Sequence, residues 1–211
     1  MKPAQSISIL QADFLHFGYP DKALFSNFSA SMPPRITLIR GGDGCGKSTL
    51  LKLLAGALPL QSGQLHINGI SLQKQPENYT AHVFLADPRT DSFDQFTVPD
   101  YFELQRSKHA GFNDSELAEV TNGLGLEEHL HKQLFMLSTG SKRKVFLAAA
   151  LASEAQVTLL DEPFAALDTA SIRFVLGWLN AAASATNRAW VIADYVVPDR
   201  LPLAQIIDLG D

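Results

Sequence analysis

The stretch from Gly41 to Thr49 constrains the fold of this chain more than any other, because it matches a phosphate-binding loop. It reads Gly-Gly-Asp-Gly-Cys-Gly-Lys-Ser-Thr and satisfies the pattern G-x-x-x-x-G-K-[ST]. In such a loop, backbone N–H groups turn inward around an anion, and glycine permits conformations that a Cβ would obstruct. Lys47 is predicted to bring a positive charge to the β- and γ-phosphates, and Ser48 to be a magnesium ligand. The predicted nucleotide-binding residues of the loop are Gly41, Gly42, Asp43, Gly44, Cys45, Gly46, Lys47, Ser48 and Thr49.

The residues around the loop fit the strand–loop–helix context that this motif requires. Residues 35–40 are predicted to form a strand, and leucines at helical spacing follow the loop over residues 50–58. The N-terminus of that helix would favour bound phosphates through its dipole. Further along the chain, strands alternate with helices, which predicts an α/β fold with a mainly parallel sheet.

The N-terminal part and the middle of the chain depart from this alternation. Residues 7–17 and 24–31 are predicted to be strands, and Asn68-Gly69 is the strongest hairpin signal in the chain, which together indicate an antiparallel β subdomain. Residues 97–153 contain helical patterns only, which predicts a helical subdomain inserted in the core.

A pair of carboxylates, Asp161 and Glu162, ends the apolar run at residues 157–160. A phosphate loop needs a partner that helps to hold magnesium and positions the attacking group. Asp161, at the end of the predicted strand, is the candidate magnesium residue beside Ser48. Glu162 is the candidate catalytic residue, because a carboxylate at this position can accept a proton from water. The alternative is that both are ordinary solvated loop residues.

Composition limits the class of protein. The chain has 211 residues, of which 46% are apolar, and this fits one globular α/β domain. A net charge of −5 provides no long-range attraction to nucleic acid, and the basic residues 142–144 are expected to form a solvated helix face. The longest apolar run, residues 145–152, is far shorter than the roughly 20 residues of a membrane-spanning helix. Any membrane role is therefore expected to involve another chain.

Cysteine and histidine give no sign of a metal or redox centre. Cys45 is the single cysteine, so no intramolecular disulfide can form, and we expect it to pack as a small residue within the loop. His129 and His131 lie two residues apart, but no third ligand is nearby in the sequence, and we expect both to be surface histidines.

Taken together, these stretches resemble the nucleotide-binding subunit of ATP-binding cassette (ABC) transporters. The most specific element is Leu137-Ser138-Thr139-Gly140-Ser141, which is similar to the family signature LSGGQ and lies shortly before the Asp161-Glu162 strand. Residues 165–168 resemble the D-loop of the family, and Tyr19 matches the aromatic residue that stacks on adenine. The resemblance covers almost the whole chain and implies a single ATP-binding domain over residues 1–211.

The resemblance also implies cofactors, partners and a mechanism. Two nucleotide-binding domains, identical or different, would pair head to tail and hold ATP and Mg²⁺ between the phosphate loop of one and the signature of the other. Ser138 and the N–H of Gly140 would contact the γ-phosphate of the partner's ATP. Hydrolysis would open the dimer and drive substrate movement through separate membrane-spanning subunits, which the helical insert would contact. The location this implies is cytoplasmic, peripheral on the inner face of the cell membrane.

Three positions depart from the family pattern near the γ-phosphate. The family has a glutamine at the place where this chain has Ala86 or Asp87, and a histidine where this chain has Asp194. An ionised aspartate cannot donate to a phosphate, and like charges at close range repel. Asp43 adds a further negative charge to the phosphate loop, which should weaken binding unless a cation offsets it.

Several functions therefore stay open. The chain either hydrolyses ATP slowly with Glu162 alone, or binds ATP as the hydrolysis-impaired, regulatory half of a heterodimeric transporter. Intact Lys47, Ser48 and Asp161 favour hydrolysis. A soluble ABC-type ATPase that acts on nucleic acid or the ribosome is disfavoured by the acidic balance and the single cassette. A small-molecule kinase is disfavoured by the signature-like stretch.

Overall fold

The described residues form two β-sheets, one antiparallel and one parallel. The computed structural model describes residues 8–185, 187–196 and 201–210; residue 7, the predicted start of the first strand, and the outermost residues of the predicted 1–211 domain lie outside them. The antiparallel sheet has the order β2 (Lys22–Met32), β1 (Leu10–Tyr19), β4 (Ser62–Ile67) and β5 (Ile70–Ser71). The parallel sheet has the order β6 (Val83–Ala86), β7 (Val157–Asp161), β8 (Ala189–Asp194), β3 (Arg35–Arg40) and β9 (Leu203–Asp208).

The helices pack around these sheets and follow the apolar spacing of the sequence. The helix that leaves the phosphate loop, α1, is short, and the pair α3 and α4 packs with α5, whose second half, residues 145–152, is buried on all sides. The helices are α1 (Lys47–Leu54), α2 (Pro76–Ala81), α3 (Val98–Lys108), α4 (Asp114–Gly123), α5 (Thr139–Ala152) and α6 (Thr169–Ala182).

The parallel sheet separates the hydrophobic interior into two clusters. Successive side chains of a strand point to opposite faces, so Leu159 and Val191 join the cluster with α1 and the antiparallel sheet. Leu160 and Ile192 join the cluster with α3 to α6. Because both faces are covered, β7 is buried throughout, which explains its continuous apolar sequence.

The predicted fold class is confirmed, with a mainly parallel sheet, an antiparallel sheet near the N-terminus and helices between β6 and β7. Two local features differ from the sequence expectation. Within residues 97–153, which were predicted to be helical, residues 127–136 form only two 3₁₀ turns, Glu127–His129 and Leu134–Met136. Helix α2 was not predicted, because its polar sequence lacks an apolar stripe; Tyr79 alone anchors it, with its hydroxyl donating to the Leu54 carbonyl at 2.7 Å.

The strand order brings the candidate site residues to one edge of the sheet. β8 lies between β3 and β7, and all of these strands are parallel. The phosphate loop begins at the carboxyl end of β3, and Asp161 lies at the carboxyl end of β7. Ligands of open α/β sheets bind at this edge, where the loops leave the strands.

The centre of the parallel sheet offers a test of what holds this fold together. Trp190 on β8 is fully buried, and its ring packs edge-on against Trp178 with centroids 5.3 Å apart. Its Nε1 has no hydrogen-bond partner among the described residues. We therefore expect Trp190→Ala to lower the free energy of unfolding by about 3–5 kcal/mol through cavity formation. Trp190→Phe should cost much less, since it keeps a ring and removes an N–H group that has no partner. Urea denaturation would compare the two, and equal losses would contradict this account.

Candidate nucleotide-binding site

The loop between β3 and α1 wraps around its own lysine. The Nζ of Lys47 donates to the carbonyl oxygens of Gly41 at 2.7 Å and Gly42 at 2.8 Å. Gly46 has a φ of 104°, in the left-handed region that glycine adopts without strain, and it caps α1. A Cβ at Gly41 would lie 2.6 Å from the Sγ of Cys45, so Cys45 fills the space that this glycine leaves.

The turn between β1 and β2 reaches over the phosphate loop. The ring of Tyr19 is half exposed (the residue is 50% exposed), and its hydroxyl lies 3.4 Å from the Oγ1 of Thr49. The Nζ of Lys22 donates to the Gly44 carbonyl at 3.0 Å. Tyr19 was predicted from the sequence, whereas Lys22 was missed because nothing in the spacing shows that this turn folds onto the loop.

Ser48, Asp161 and Arg89 form a hydrogen-bonded cluster where the phosphate loop meets β7. The Oγ of Ser48 donates to one oxygen of Asp161 at 3.1 Å. The Nη2 of Arg89 donates to the other oxygen of Asp161 at 2.8 Å and to the Oγ of Ser48 at 3.1 Å. The same Nη2 lies 3.4 Å from a carboxylate oxygen of Glu162. Asp161 is buried, whereas the side chain of Arg89 is 52% exposed.

Arg89 was not predicted, although it lies in the loop where the family resemblance places a glutamine. It follows β6 shortly after Ala86 and Asp87, the two residues compared with the missing glutamine. The signal that could have identified Arg89 is a basic residue in the loop after β6. If β6 pairs with β7, this residue comes close to the two carboxylates at the end of β7. Pairing of β6 with β7 is what makes these loops neighbours.

The charges of this cluster oppose the effect of burial. Burial raises the pKa of Asp161 above its ordinary value, while the Ser48 hydroxyl and Arg89 act in the opposite direction. Burial also disfavours the charged guanidinium of Arg89, but the attraction of Asp161 and Glu162 outweighs it and raises the pKa of Arg89. Arg89 therefore keeps its positive charge beside the carboxylates.

The oxygen donors of this cluster suit a magnesium ion. A hydroxyl and a carboxylate, here Ser48 and Asp161, are ligands that Mg²⁺ prefers, and the ion would neutralise charge on the β- and γ-phosphates. Among the described residues, no group of three or more His, Cys, Asp or Glu is placed to hold a metal. Arg89 contacts both protein donors, and its guanidinium cannot share that position with the ion.

Glu162 and Asp194 lie next to this cluster. Glu162 has a φ of 46°, in the left-handed region, which costs a non-glycine residue about 1 kcal/mol, and its N–H donates to the Ala193 carbonyl at 2.9 Å. Burial raises the pKa of Asp194; Glu162 and Asp161 act in the same direction, and the Val196 N–H and Lys47 oppose them.

The residue after Asp194 contacts the phosphate-loop lysine. The Nζ of Lys47 lies 4.0 Å from the centre of the Tyr195 ring, and the N–H of Tyr195 donates to an Asp194 oxygen at 2.7 Å. The position of the expected histidine thus holds a carboxylate, and an aromatic face next to it covers Lys47.

The signature-like stretch forms the start of α5 and packs on the residues after Glu162. Ser138 caps the helix and accepts the Ser141 N–H at 3.1 Å. A Cβ on Gly140 would lie 2.5 Å from the Ala166 carbonyl oxygen. Among the described residues, Leu137, Ser138, Thr139, Gly140 and Ser141 make no hydrogen bond to the phosphate loop.

Two expectations about this region need correction. His131 is exposed as expected, but His129 is not a surface histidine: it is partly buried, and its Nε2 lies 3.1 Å from the Oγ of Ser141. The basic residues 142–144 are not a solvated face, because each side chain binds a neighbouring loop. Lys142 pairs with Asp94, buried Arg143 donates to the Ala165 carbonyl, and Lys144 pairs with Asp168.

Comparison with known proteins identifies the family. A model of the family described as ABC transporter matches residues 26–165. The spermidine/putrescine import ATP-binding protein PotA of Thermotoga maritima is 35% identical over 135 residues, which are 62% of this chain and 36% of that protein. The cytochrome c biogenesis ATP-binding export protein CcmA of Wolbachia pipientis is 32% identical over 176 residues, which are 82% of this chain and 83% of that protein.

Solved structures agree on the fold. The structure of an ATP-binding subunit of an ABC transporter superposes with a TM-score of 0.79 at 22% identity, over 90% of this chain and 80% of that chain. The fold and the loop define a P-loop nucleotide-binding domain. This chain belongs to the ABC transporter family of ATP-binding proteins.

The contact between Gly140 and Ala166 gives a testable consequence. We expect Gly140→Ala to lower the free energy of unfolding by about 1–3 kcal/mol, because the added Cβ must displace a backbone carbonyl. Gly177 of α6 is the matched control, since a Cβ there meets nothing within 4 Å. Gly177→Ala should be neutral or stabilising by about 0.5–1 kcal/mol. Urea denaturation measures both, and an unchanged stability of Gly140→Ala would show that the contact is not tight.

Proposed function

We propose that this chain binds and hydrolyses Mg-ATP in a head-to-tail dimer of nucleotide-binding domains and so drives substrate movement through separate membrane-spanning subunits. The observation that carries this proposal is the direct contact of Ser48 with Asp161 beside Glu162 at the mouth of the phosphate loop.

Each residue has a definite proposed role. Lys47 would lie at the β- and γ-phosphates, and Ser48 and Asp161 would hold the magnesium ion. Glu162 is the catalytic residue and accepts a proton from the attacking water. Tyr19 stacks on the adenine, because its half-exposed ring stands beside the end of the loop at Thr49.

The start of α5 supports the dimer. Ser138 and Thr139 are exposed, so the free N–H groups at this helix N-terminus are open to the phosphate of a second chain. Phe135 and Met136, just before the signature, are 55% and 57% exposed, and apolar side chains at a surface favour burial in an interface.

The membrane role follows from partners rather than from this chain. No helix of the described residues is long and apolar enough to cross a bilayer. We place the domain peripherally on the cytoplasmic face of the cell membrane, with the helical insert of residues 97–153 towards the membrane-spanning subunits. The relatives named for import and for export leave the direction of transport open.

A second candidate is a hydrolysis-impaired half of a heterodimer. It is favoured by the partly buried carboxylate Asp194 at the position where the family has a histidine, since an acid there repels the γ-phosphate. In this case the chain binds ATP and offers its signature to an active partner.

Substitution of Glu162 distinguishes these functions. The proposal predicts slow ATP hydrolysis by the wild-type protein and a loss of at least about 100-fold in Glu162→Gln, because an amide cannot accept the proton of water. ATP-dependent dimerisation should remain in the variant, as measured by size-exclusion chromatography.

Glu119→Gln is the matched control, since it makes the same carboxylate-to-amide change at an exposed position of α4, and it should keep wild-type turnover. If Glu162→Gln hydrolyses ATP as fast as the wild type, the catalytic assignment is wrong. If the wild type binds ATP without turnover, the chain is the regulatory half.

A further inference from the structure

The position of Arg89 points to a property of the nucleotide site that the family resemblance does not provide. A single guanidinium nitrogen of Arg89 contacts the same two groups, Ser48 and Asp161, that would hold magnesium. The guanidinium thus places one positive charge at the position where Mg²⁺ would place two. A role of Arg89 towards ATP rests on the proposed ATP-binding function.

The loop that carries Arg89 is anchored to the core by the residues on both sides of Arg89. The N–H of Arg89 donates to the side chain of Asp87 at 3.2 Å, and Asp87 is buried and pairs with Lys52 of α1 at 2.9 Å. On the other side, Lys142 of α5 donates to the Thr90 carbonyl at 2.7 Å. The backbone of the loop is therefore anchored on both sides of Arg89, and the guanidinium reaches Asp161 and Ser48 from a fixed starting point.

The charges around Arg89 favour a cation at this point. Asp161, Glu162 and Asp87 all attract the guanidinium. Lys52 already neutralises Asp87, so the two carboxylates at the end of β7 are the groups that need a counter-charge. Like charges held this close to a triphosphate would repel it unless a cation lies between them.

Arg89 also has donors left for a phosphate. A guanidinium has five N–H groups in a planar fork, and the contacts with Asp161 and Ser48 use one nitrogen. About half of the side chain faces solvent, beside the loop whose Lys47 would lie at the β- and γ-phosphates. Guanidinium groups bind phosphate oxygens in a bidentate way, so one side chain can join the phosphate to Asp161.

We infer that Arg89 acts as a built-in cation of the ATP site: it bridges the terminal phosphates to Asp161 and Ser48 and makes ATP binding largely independent of Mg²⁺. Magnesium and Arg89 compete for the same oxygens, so the metal enters only when the guanidinium leaves them. Arg89 is a positioning residue for the nucleotide and a specificity determinant for the metal.

The test compares ATP binding with and without magnesium by isothermal titration calorimetry. For the wild type, replacing Mg²⁺ with EDTA should raise the Kd by no more than about threefold, because Arg89 supplies the charge. For Arg89→Gln, which keeps a polar side chain but removes the charge, the same change should raise the Kd by at least about 30-fold. Arg106→Gln on α3 is the matched control, since Arg106 pairs with Glu103 and Asp114 away from the site, and it should behave as the wild type.

A direct readout of the metal makes the test independent of ATP affinity. Electron paramagnetic resonance with Mn²⁺ and ATP should show tighter metal binding in Arg89→Gln than in the wild type, because the competitor is gone. Arg89→Lys keeps a charge but loses the fork, and should lie between the two. Circular dichroism would establish that the variants are folded.

The outcomes separate the two proposals. ATP binding with the same magnesium dependence in wild type and Arg89→Gln would overturn the role of Arg89 and leave the proposed function intact. No ATP binding by the wild type in either buffer would overturn both.

Discussion

Parallel pairing of β3, β8 and β7 is the constraint on which the candidate site depends. The register sets Arg40 opposite Asp194 and Asp161 opposite Ala193, so three strand ends finish at nearly the same level. The loop after β3, the carboxylate at the end of β7 and the residue at the end of β8 then share one edge. The apolar side chains that cover both faces of the sheet fix this register, since a slip of one residue would turn every buried side chain to the wrong face.

The site built on that edge is a compact arrangement of opposite charges. Asp161, Glu162 and Asp194 lie within a region that also holds Lys47 and Arg89, and burial disfavours the charged forms of Asp161, Asp194 and Arg89. The hydrogen bonds from Arg89 and Ser48 to Asp161 offset part of that cost. An incoming triphosphate therefore meets a site whose cations are already engaged, and its affinity depends on how readily they exchange partners.

The sequence predicted those parts of the site that lie on regular elements. The strand–loop–helix around Lys47 and the strand that ends in Asp161 were predictable, because apolar periodicity locates such elements and a short motif marks their ends. The boundaries of the strands shifted by a few residues. Gly41 to Thr49 needed no tertiary information to be recognised.

The parts that were missed depend on which loops become neighbours. Arg89, Lys22 and His129 each act through a partner far away in the sequence, and their own surroundings contain no periodic pattern. The prediction that the basic residues 142–144 form a solvated face was wrong for the same reason. The sequence does not show that Asp94 and Asp168 lie next to this run of positive charge in the fold. A local sequence pattern identifies helices and strands, whereas the prediction of ion pairs between loops requires knowledge of the topology.

The close approach of Gly140 to Ala166 has a mechanical consequence. Ala166 has a φ of 57° and lies in the short turn that begins at Glu162, the proposed catalytic residue. The other end of this turn, at Ala166, lies against the start of α5, which would contact the nucleotide of a second chain. Gly140 has no side chain at this contact. In the proposed dimer, a movement of Glu162 would therefore reach the signature-like helix start through the backbone of this turn.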